Sequence, residues 1–214
     1  MPESFIWRAC SQISQALAFI QGHLGPDQDL RGCMIHWDIK PKNIPVVHNG
    51  STYPSFKLHD FHCAMIWEKS KARRPTRYGT FKWQPSEGVT QGINTSAAEV
   101  WALGACIHFL ATGLAPIEDS DEYAVRVYRE NNNQHPDSAR LYGKDHRYYD
   151  VHVPRRVVPI NLTKDEHHQR GLGLSTEEKR AQGIGPEYQQ YSDELNDWMN
   201  QFLARTPSKR PTTE

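Results

Sequence analysis

The chain has 214 residues, with 25 Lys and Arg balanced by 25 Asp and Glu and 37% hydrophobic residues. That is enough length to bury a core, while zero net charge speaks against a general nucleic-acid or membrane-surface binder. No apolar run is long enough to span a bilayer, since His108 interrupts the most apolar stretch, 100–113. The first residues lack a basic-then-apolar pattern and Cys10, Cys33, Cys63 and Cys106 lack paired spacing, so the expectation is a protein with reduced thiols and no secretory signal, cytoplasmic or nuclear.

Ile6, Cys10, Ile13, Leu17, Ile20 and Leu24 recur at threes and fours, which predicts one amphipathic helix closed by Gly25-Pro26. The polar segment 36–43 contains Pro41 and is not a regular helix. Residues 44–47 and 56–58 read as short strands of a hairpin around Asn49-Gly50, with Pro45 keeping the first short. Residues 60–87 show little periodicity and carry the basic cluster Lys69, Lys71, Arg73, Arg74 and Arg77. A second helix is predicted over 98–114. Its stripe of Val100, Leu103, Ile107, Leu110 and Leu114, with small or apolar residues between, marks it as the buried spine of the domain. The polar stretch 115–191 is expected to hold one or two short helices among long loops, one starting at the capping-box pattern Ser175-Thr176-Glu177-Glu178. A last helix over 192–205, capped by Ser192, ends before Pro207. The outline is a mainly α domain with one small β-hairpin.

Five separated segments resemble one family in order. His36-Trp37-Asp38-Ile39-Lys40-Pro41-Lys42-Asn43 is similar to the catalytic loop of eukaryotic protein kinases, His-Arg-Asp-Leu-Lys-x-x-Asn. Asp60-Phe61-His62 stands where that family has Asp-Phe-Gly, and Gly79–Glu87 resembles the end of the activation segment. Glu99-Val100-Trp101-Ala102-Leu103-Gly104 resembles the start of the family's buried central helix, and 207–212 the segment after its penultimate helix. The resemblance implies transfer of the γ-phosphoryl of ATP to a protein hydroxyl, of the serine/threonine type. Asp38 would act as base and Lys40 as charge stabiliser, with Asn43 and Asp60 as nucleotide-site ligands of Mg²⁺. Glu87 and Arg210 resemble the ion pair that fixes the activation segment to the helical lobe. The His36 ring is expected beneath Phe61.

Four departures stand out. Trp37 replaces the arginine that gathers an activation-loop phosphate, which removes the expected switch whatever becomes of Thr76. His62 replaces a glycine and its backbone freedom. Glu99 replaces an aspartate that hydrogen-bonds the catalytic loop, and Pro85-Ser86 precedes Glu87 in place of a small residue and proline. About five residues precede the first helix, with no glycine-rich loop or strand lysine; the pairs Gly171/Gly173 and Gly183/Gly185 lack a preceding strand. The resemblance therefore covers residues 1–214 as the C-terminal helical lobe alone, the N-terminal lobe absent. For the isolated chain the expectation is weak or no transfer. The alternative is a non-catalytic, pseudokinase-type module that binds a protein partner, or a fragment of a longer kinase.

Other motifs are bland. His59, His62 and Cys63, Cys33 and His36, or His167-His168 lack zinc spacing. The 69–77 basic run reads first as a solvated loop, with nuclear import or anion binding as the functional reading. Trp83, Trp101 and Trp198 read as core anchors, and no Gly-x-Ser-x-Gly elbow marks a hydrolase.

Overall fold

Helix α1 (Glu3–Ile20) buries Ile6, Cys10, Ile13 and Leu17 along the predicted stripe. It stops four residues short of Leu24 because Gly22 is left-handed at φ 85°. The Gly22 N–H then donates to the Phe19 carbonyl at 3.2 Å and the His23 N–H to the Ala18 carbonyl at 2.8 Å, a Schellman closure that a glycine makes cheap. Leu24 is left exposed. The computed structural model describes residues 1–26, 32–66, 79–93, 95–142, 145–172 and 189–212. The basic run 69–77, Thr76, the Ser175–Glu178 pattern and Gly173, Gly183 and Gly185 lie outside them.

Four two-residue strands follow: β1 (Met34–Ile35), β2 (Val46–Val47), β3 (Ser55–Phe56) and β4 (Met65–Ile66). The hairpin forms as expected, but shorter, with Val46 opposite Phe56 and Val47 opposite Ser55. The antiparallel pairing of β1 with β4 was not foreseen, because two residues are too few for any alternation to register. This second ladder brackets the catalytic-loop segment and Asp60-Phe61-His62 between paired strands.

Helix α2 (Ser86–Gln91) leads to α3 (Ser96–Thr112), which is buried continuously from Ala98 to His108. It packs against α1 and against the last helix, α7 (Asp193–Phe202). A Cβ at Gly104 would lie 2.7 Å from the Phe202 Cβ, so glycine is what permits that approach. Between them lie α4 (Ser120–Glu130), α5 (Asp145–His152) and α6 (Lys164–Gln169), with a 3₁₀ segment at Asp137–Tyr142. The described part of 115–191 thus holds three α-helices rather than one or two. Helix α4 buries none of its residues, so no apolar stripe announces it. Its start is fixed instead by the Asp119 carboxylate, which accepts from the Asp121 and Glu122 N–H groups at 2.9 Å each. Helix α6 opens on a capping box made by Thr163 and Glu166.

Ser192 caps α7 as expected, its hydroxyl accepting from the Leu195 N–H at 3.1 Å, and the helix ends at Phe202 rather than 205. Leu195, Met199 and Phe202 face the core. Trp198 does not: it is 41% exposed and packs edge-on against Trp7 at 6.4 Å. Trp83 and Trp101 are buried.

His108 interrupts the apolar run for a structural reason. It is buried on α3, its Nδ1 lying 2.8 Å from the Leu114 carbonyl oxygen while Nε2 accepts from the Val158 N–H at 3.0 Å. That pattern requires the neutral ring. Burial lowers its pKa to about 4 from an ordinary 6.5. A depressed folded value means that stability present above the unfolded pKa is lost as pH falls through the folded one. Across pH 6.5 to 4 the loss amounts to about 3 kcal/mol, at about 1.4 kcal/mol per pH unit. Urea titrations of wild type and His108→Gln should differ in slope by this amount over that range, wild type losing more towards acid; parallel slopes would refute the assignment.

Candidate active site

The loop leaving β1 carries Asp38 into the interior, where the residue is 5% exposed. Pro41–Asn43 forms a 3₁₀ turn that folds Asn43 back onto it. The Asn43 Nδ2 donates to the Asp38 carbonyl at 2.8 Å and to Oδ2 at 3.1 Å. Lys40 Nζ donates to Oδ2 at 2.6 Å and to Thr80 Oγ1 at 3.0 Å. The Thr80 hydroxyl, accepting from Lys40, donates its proton to Asp38 Oδ1 at 2.8 Å. Both carboxylate oxygens are thereby aimed, and a cation sits beside the base, an arrangement suited to accept a proton from a hydroxyl while charge builds up nearby. Asp38, Lys40 and Asn43 are brought together as the motif implies. Thr80 was missed, though Gly79 signals it. Gly79 has φ 80°, and a Cβ there would run into the Trp37 carbonyl oxygen, so only glycine brings Thr80 this close.

The loop is held from below by Glu99, which reaches it despite replacing a shorter aspartate. Glu99 Oε1 accepts from the His36 N–H at 2.6 Å and the Trp37 N–H at 3.0 Å. Its other oxygen, Oε2, accepts from Gln21 Nε2 at 3.0 Å. Gln21 is buried at the end of α1, and nothing in the sequence pattern singled it out. The two backbone bonds hold Trp37 at φ 66°, a left-handed conformation that costs a bulky residue about 1–2 kcal/mol.

The segment carrying Asp60 docks on the same loop. The His59 N–H donates to the Asn43 carbonyl at 3.0 Å. The His36 Nε2 lies 3.0 Å from the His59 carbonyl oxygen, and His36 Nδ1 accepts from the Asp38 N–H at 3.3 Å. The His36 ring meets Phe61 edge-on at 4.7 Å, and burial lowers its pKa. Asn43 and Asp60 therefore come from adjoining strips of backbone. Asn43 donates its side-chain amide to Asp38, and among the described residues its Oδ1 accepts no hydrogen bond. Asp60 keeps one-third of its side chain exposed. Two hard oxygens with room for water fit Mg²⁺, which keeps much of its hydration.

His62 alters this picture electrostatically rather than sterically. The left-handed residue is Asp60, at φ 67°, and aspartate tolerates that region, so position 62 does not need glycine's freedom. The His62 ring nitrogen instead contacts Asp60 Oδ1, and this hydrogen bond holds the Asp60 pKa below its usual range. Among the described residues no cluster of three or more His, Cys, Asp or Glu side chains is placed to hold a metal.

The activation segment's end is anchored as the resemblance implies. Arg210 Nη1 donates to Glu87 Oε1 at 2.5 Å and to the Ala97 carbonyl at 3.0 Å, with Nε on the Ala204 carbonyl at 2.8 Å. Glu87 Oε2 is buried and, among the described residues, has no hydrogen-bond partner. Arg155, which the sequence did not flag, clasps the same segment: Nε donates to the Gln84 carbonyl at 2.9 Å and Nη2 to the Phe81 carbonyl at 2.8 Å. Burial lowers the Arg155 pKa to about 10, opposed by the field of Glu87.

Complete burial raises the Glu99 pKa to about 7 from an ordinary 4.5, against the three N–H donors that favour its ionised form. A raised folded value contributes stability that is full below the unfolded pKa and is lost as pH rises through the folded one. Between pH 4.5 and 7 this group should subtract about 3 kcal/mol as pH rises, at about 1.4 kcal/mol per pH unit. In urea titrations Glu99→Gln, still accepting the two loop N–H bonds, should gain on wild type by about that amount between pH 4.5 and 7; a variant-minus-wild-type difference that does not change with pH would count against it.

The protein kinase domain family matches residues 1–214. Similar curated proteins include mitogen-activated protein kinase kinase kinase 19 of Homo sapiens, 25% identical over 134 residues, covering 60% of this chain and 9% of that protein. Mitogen-activated protein kinase kinase SIPKK of Nicotiana tabacum is 26% identical over 132 residues, covering 60% of this chain and 33% of its own length. The putative 3-phosphoinositide-dependent protein kinase 2 of Homo sapiens is 32% identical over 94 residues, covering 43% of this chain and 23% of that protein. The matched region thus spans a third or less of each of these three relatives. With its buried Asp38, its Glu87–Arg210 anchor and a family match along its whole length, the chain belongs to the protein kinase family.

Proposed function

We propose that the chain is the catalytic lobe of a serine/threonine protein kinase, which transfers the γ-phosphoryl of ATP to a protein hydroxyl. The observation that supports it most is the Asp38 carboxylate, tied at once to Lys40, Asn43 and Thr80. Asp38 orients the attacking hydroxyl and takes its proton. Lys40, already beside Asp38, balances negative charge at the point of transfer. Thr80 couples that pair to the activation segment, so the base is set only when the segment is docked. Asn43 Oδ1 and Asp60 would hold Mg²⁺, which supplies charge neutralisation between the nucleotide's phosphates.

A pseudokinase reading draws on one observation, the His62 ring resting on Asp60. A ligand engaged by an imidazole is a poorer one for a cation. On that reading the chain binds a protein partner and transfers nothing.

Radiolabelled ATP and a general protein substrate distinguish the two. Asp38→Ala should lower transfer by about a hundredfold or more, with far-UV circular dichroism unchanged. Transfer that survives Asp38→Ala would sink the assigned base, and a wild-type chain that binds Mg-ATP yet transfers nothing would favour the pseudokinase. Separately, His62→Gly should tighten Mg-ATP binding by about two- to fivefold, the scale of an exposed ion pair, as read by the thermal shift at rising Mg-ATP. Weaker binding in that variant would show that His62 supports the site instead of obstructing it.

A further inference from the structure

Two exposed lysines stand on the two turns that hold Asp38. Lys42 is the middle residue of the Pro41–Asn43 turn, whose Asn43 reaches the Asp38 carboxylate. Lys82 is the middle residue of the 3₁₀ turn Phe81–Trp83, which follows Thr80 directly. Lys82 Nζ lies over the Trp83 ring at 5.8 Å. Among the described residues neither lysine forms an ion pair.

The acidic groups of these turns are otherwise engaged. Asp38 is buried against Lys40, Glu87 against Arg210 and Glu99 against backbone and Gln21, while Asp60 is occupied by His62. Helix α5 packs against the Phe81–Trp83 turn and adds one half-buried carboxylate, Asp150, with Arg147 exposed on the same helix. Among the described residues, two exposed lysines beside the residues that bond Asp38 are left outside any ion pair.

Resting on the kinase reading above, we infer that the substrate segment is acidic, with Asp or Glu within about three residues of the hydroxyl. An extended chain advances about 3.4 Å per residue, so carboxylates at that spacing come within reach of flexible lysines rooted in turns that contact the base. Lysines in water make point-charge contacts without demanding bidentate geometry. Such contacts are screened by salt and select for charge rather than for one residue.

The test needs no nucleotide. Two fluorescein-labelled peptides of equal length, each with one serine, are flanked by Glu in one case and by Lys in the other. Anisotropy titrations at low ionic strength should show the Glu peptide binding about tenfold tighter, consistent with two exposed charge contacts. That advantage should shrink in high salt, and Lys42→Glu with Lys82→Glu should reverse it while circular dichroism stays unchanged. Equal affinity for both peptides, or a preference that the double substitution leaves intact, would overturn the inference. Displacement of the Glu peptide by an oligonucleotide of equal charge at equal concentration would overturn it too, in favour of general polyanion binding. An acidic preference without any transfer keeps the ligand class and sinks the kinase reading. Efficient transfer to the Lys peptide does the opposite.

Discussion

A single buried carboxylate organises the lobe. Glu99 sits on the helix most completely removed from water, where an unpaired charge costs several kcal/mol. It is tolerable only because donors arrive from two other segments, Gln21 at the end of α1 and the His36 and Trp37 amides. The end of α1, the helix α3 and the catalytic loop therefore meet at one carboxyl group, and losing any donor leaves one of its buried oxygens less well satisfied. The same bonds hold Trp37 left-handed, which turns the following Asp38 inward to meet Lys40 and Asn43. Asp38 is thus held from the core side and also bonded by Thr80.

Helix α3 carries two buried titratable groups of opposite kind. Glu99 favours its neutral form and is destabilising as pH rises through the mildly acidic range; His108 favours its neutral form and is destabilising as pH falls through nearly the same range. Their contributions to the pH dependence of stability are therefore of opposite sign, and each variant uncovers the other group's slope. Each also does a positional task that an apolar residue cannot. Glu99 gathers backbone from the catalytic side, and His108 joins the chain leaving α3 to the strip around Val158. A polar residue that breaks a hydrophobic stripe here is a connector.

Much of this was legible before any coordinates. The stripes of α1, α3 and α7 announced their buried faces because a 3.6-residue period over several turns is a strong signal. The residues around Asp38 were legible through the order of five separated segments, none of which is decisive alone. What escaped has physical reasons. Strands of two residues have no period. Helix α4 is held by a cap and by surface contacts, so it has no stripe. Trp198 matched a helix's periodicity yet lies at its edge, because the core at that level is filled by Leu195, Met199 and Phe202. Gln21, Thr80 and Arg155 act through contacts with residues 78, 42 and 71 positions away, and no local pattern encodes such a partner.

The departures from the family pattern share a logic. At position 37 a cation is replaced by an indole, and at position 62 a glycine by an imidazole. The left-handed conformations fall on Trp37 and Asp60, the first held by the two bonds to Glu99, so neither rests on a glycine at 62. What changes is the charge. Position 37 brings no positive partner to the loop, position 62 sets an imidazole against Asp60, and Lys42 and Lys82 are exposed nearby. A fold whose backbone is fixed by a buried carboxylate can vary its exposed charges without loss of geometry. The departures at 37 and 62 therefore bear on the charges around Asp38 and Asp60 rather than on the bonds that hold Asp38 in place.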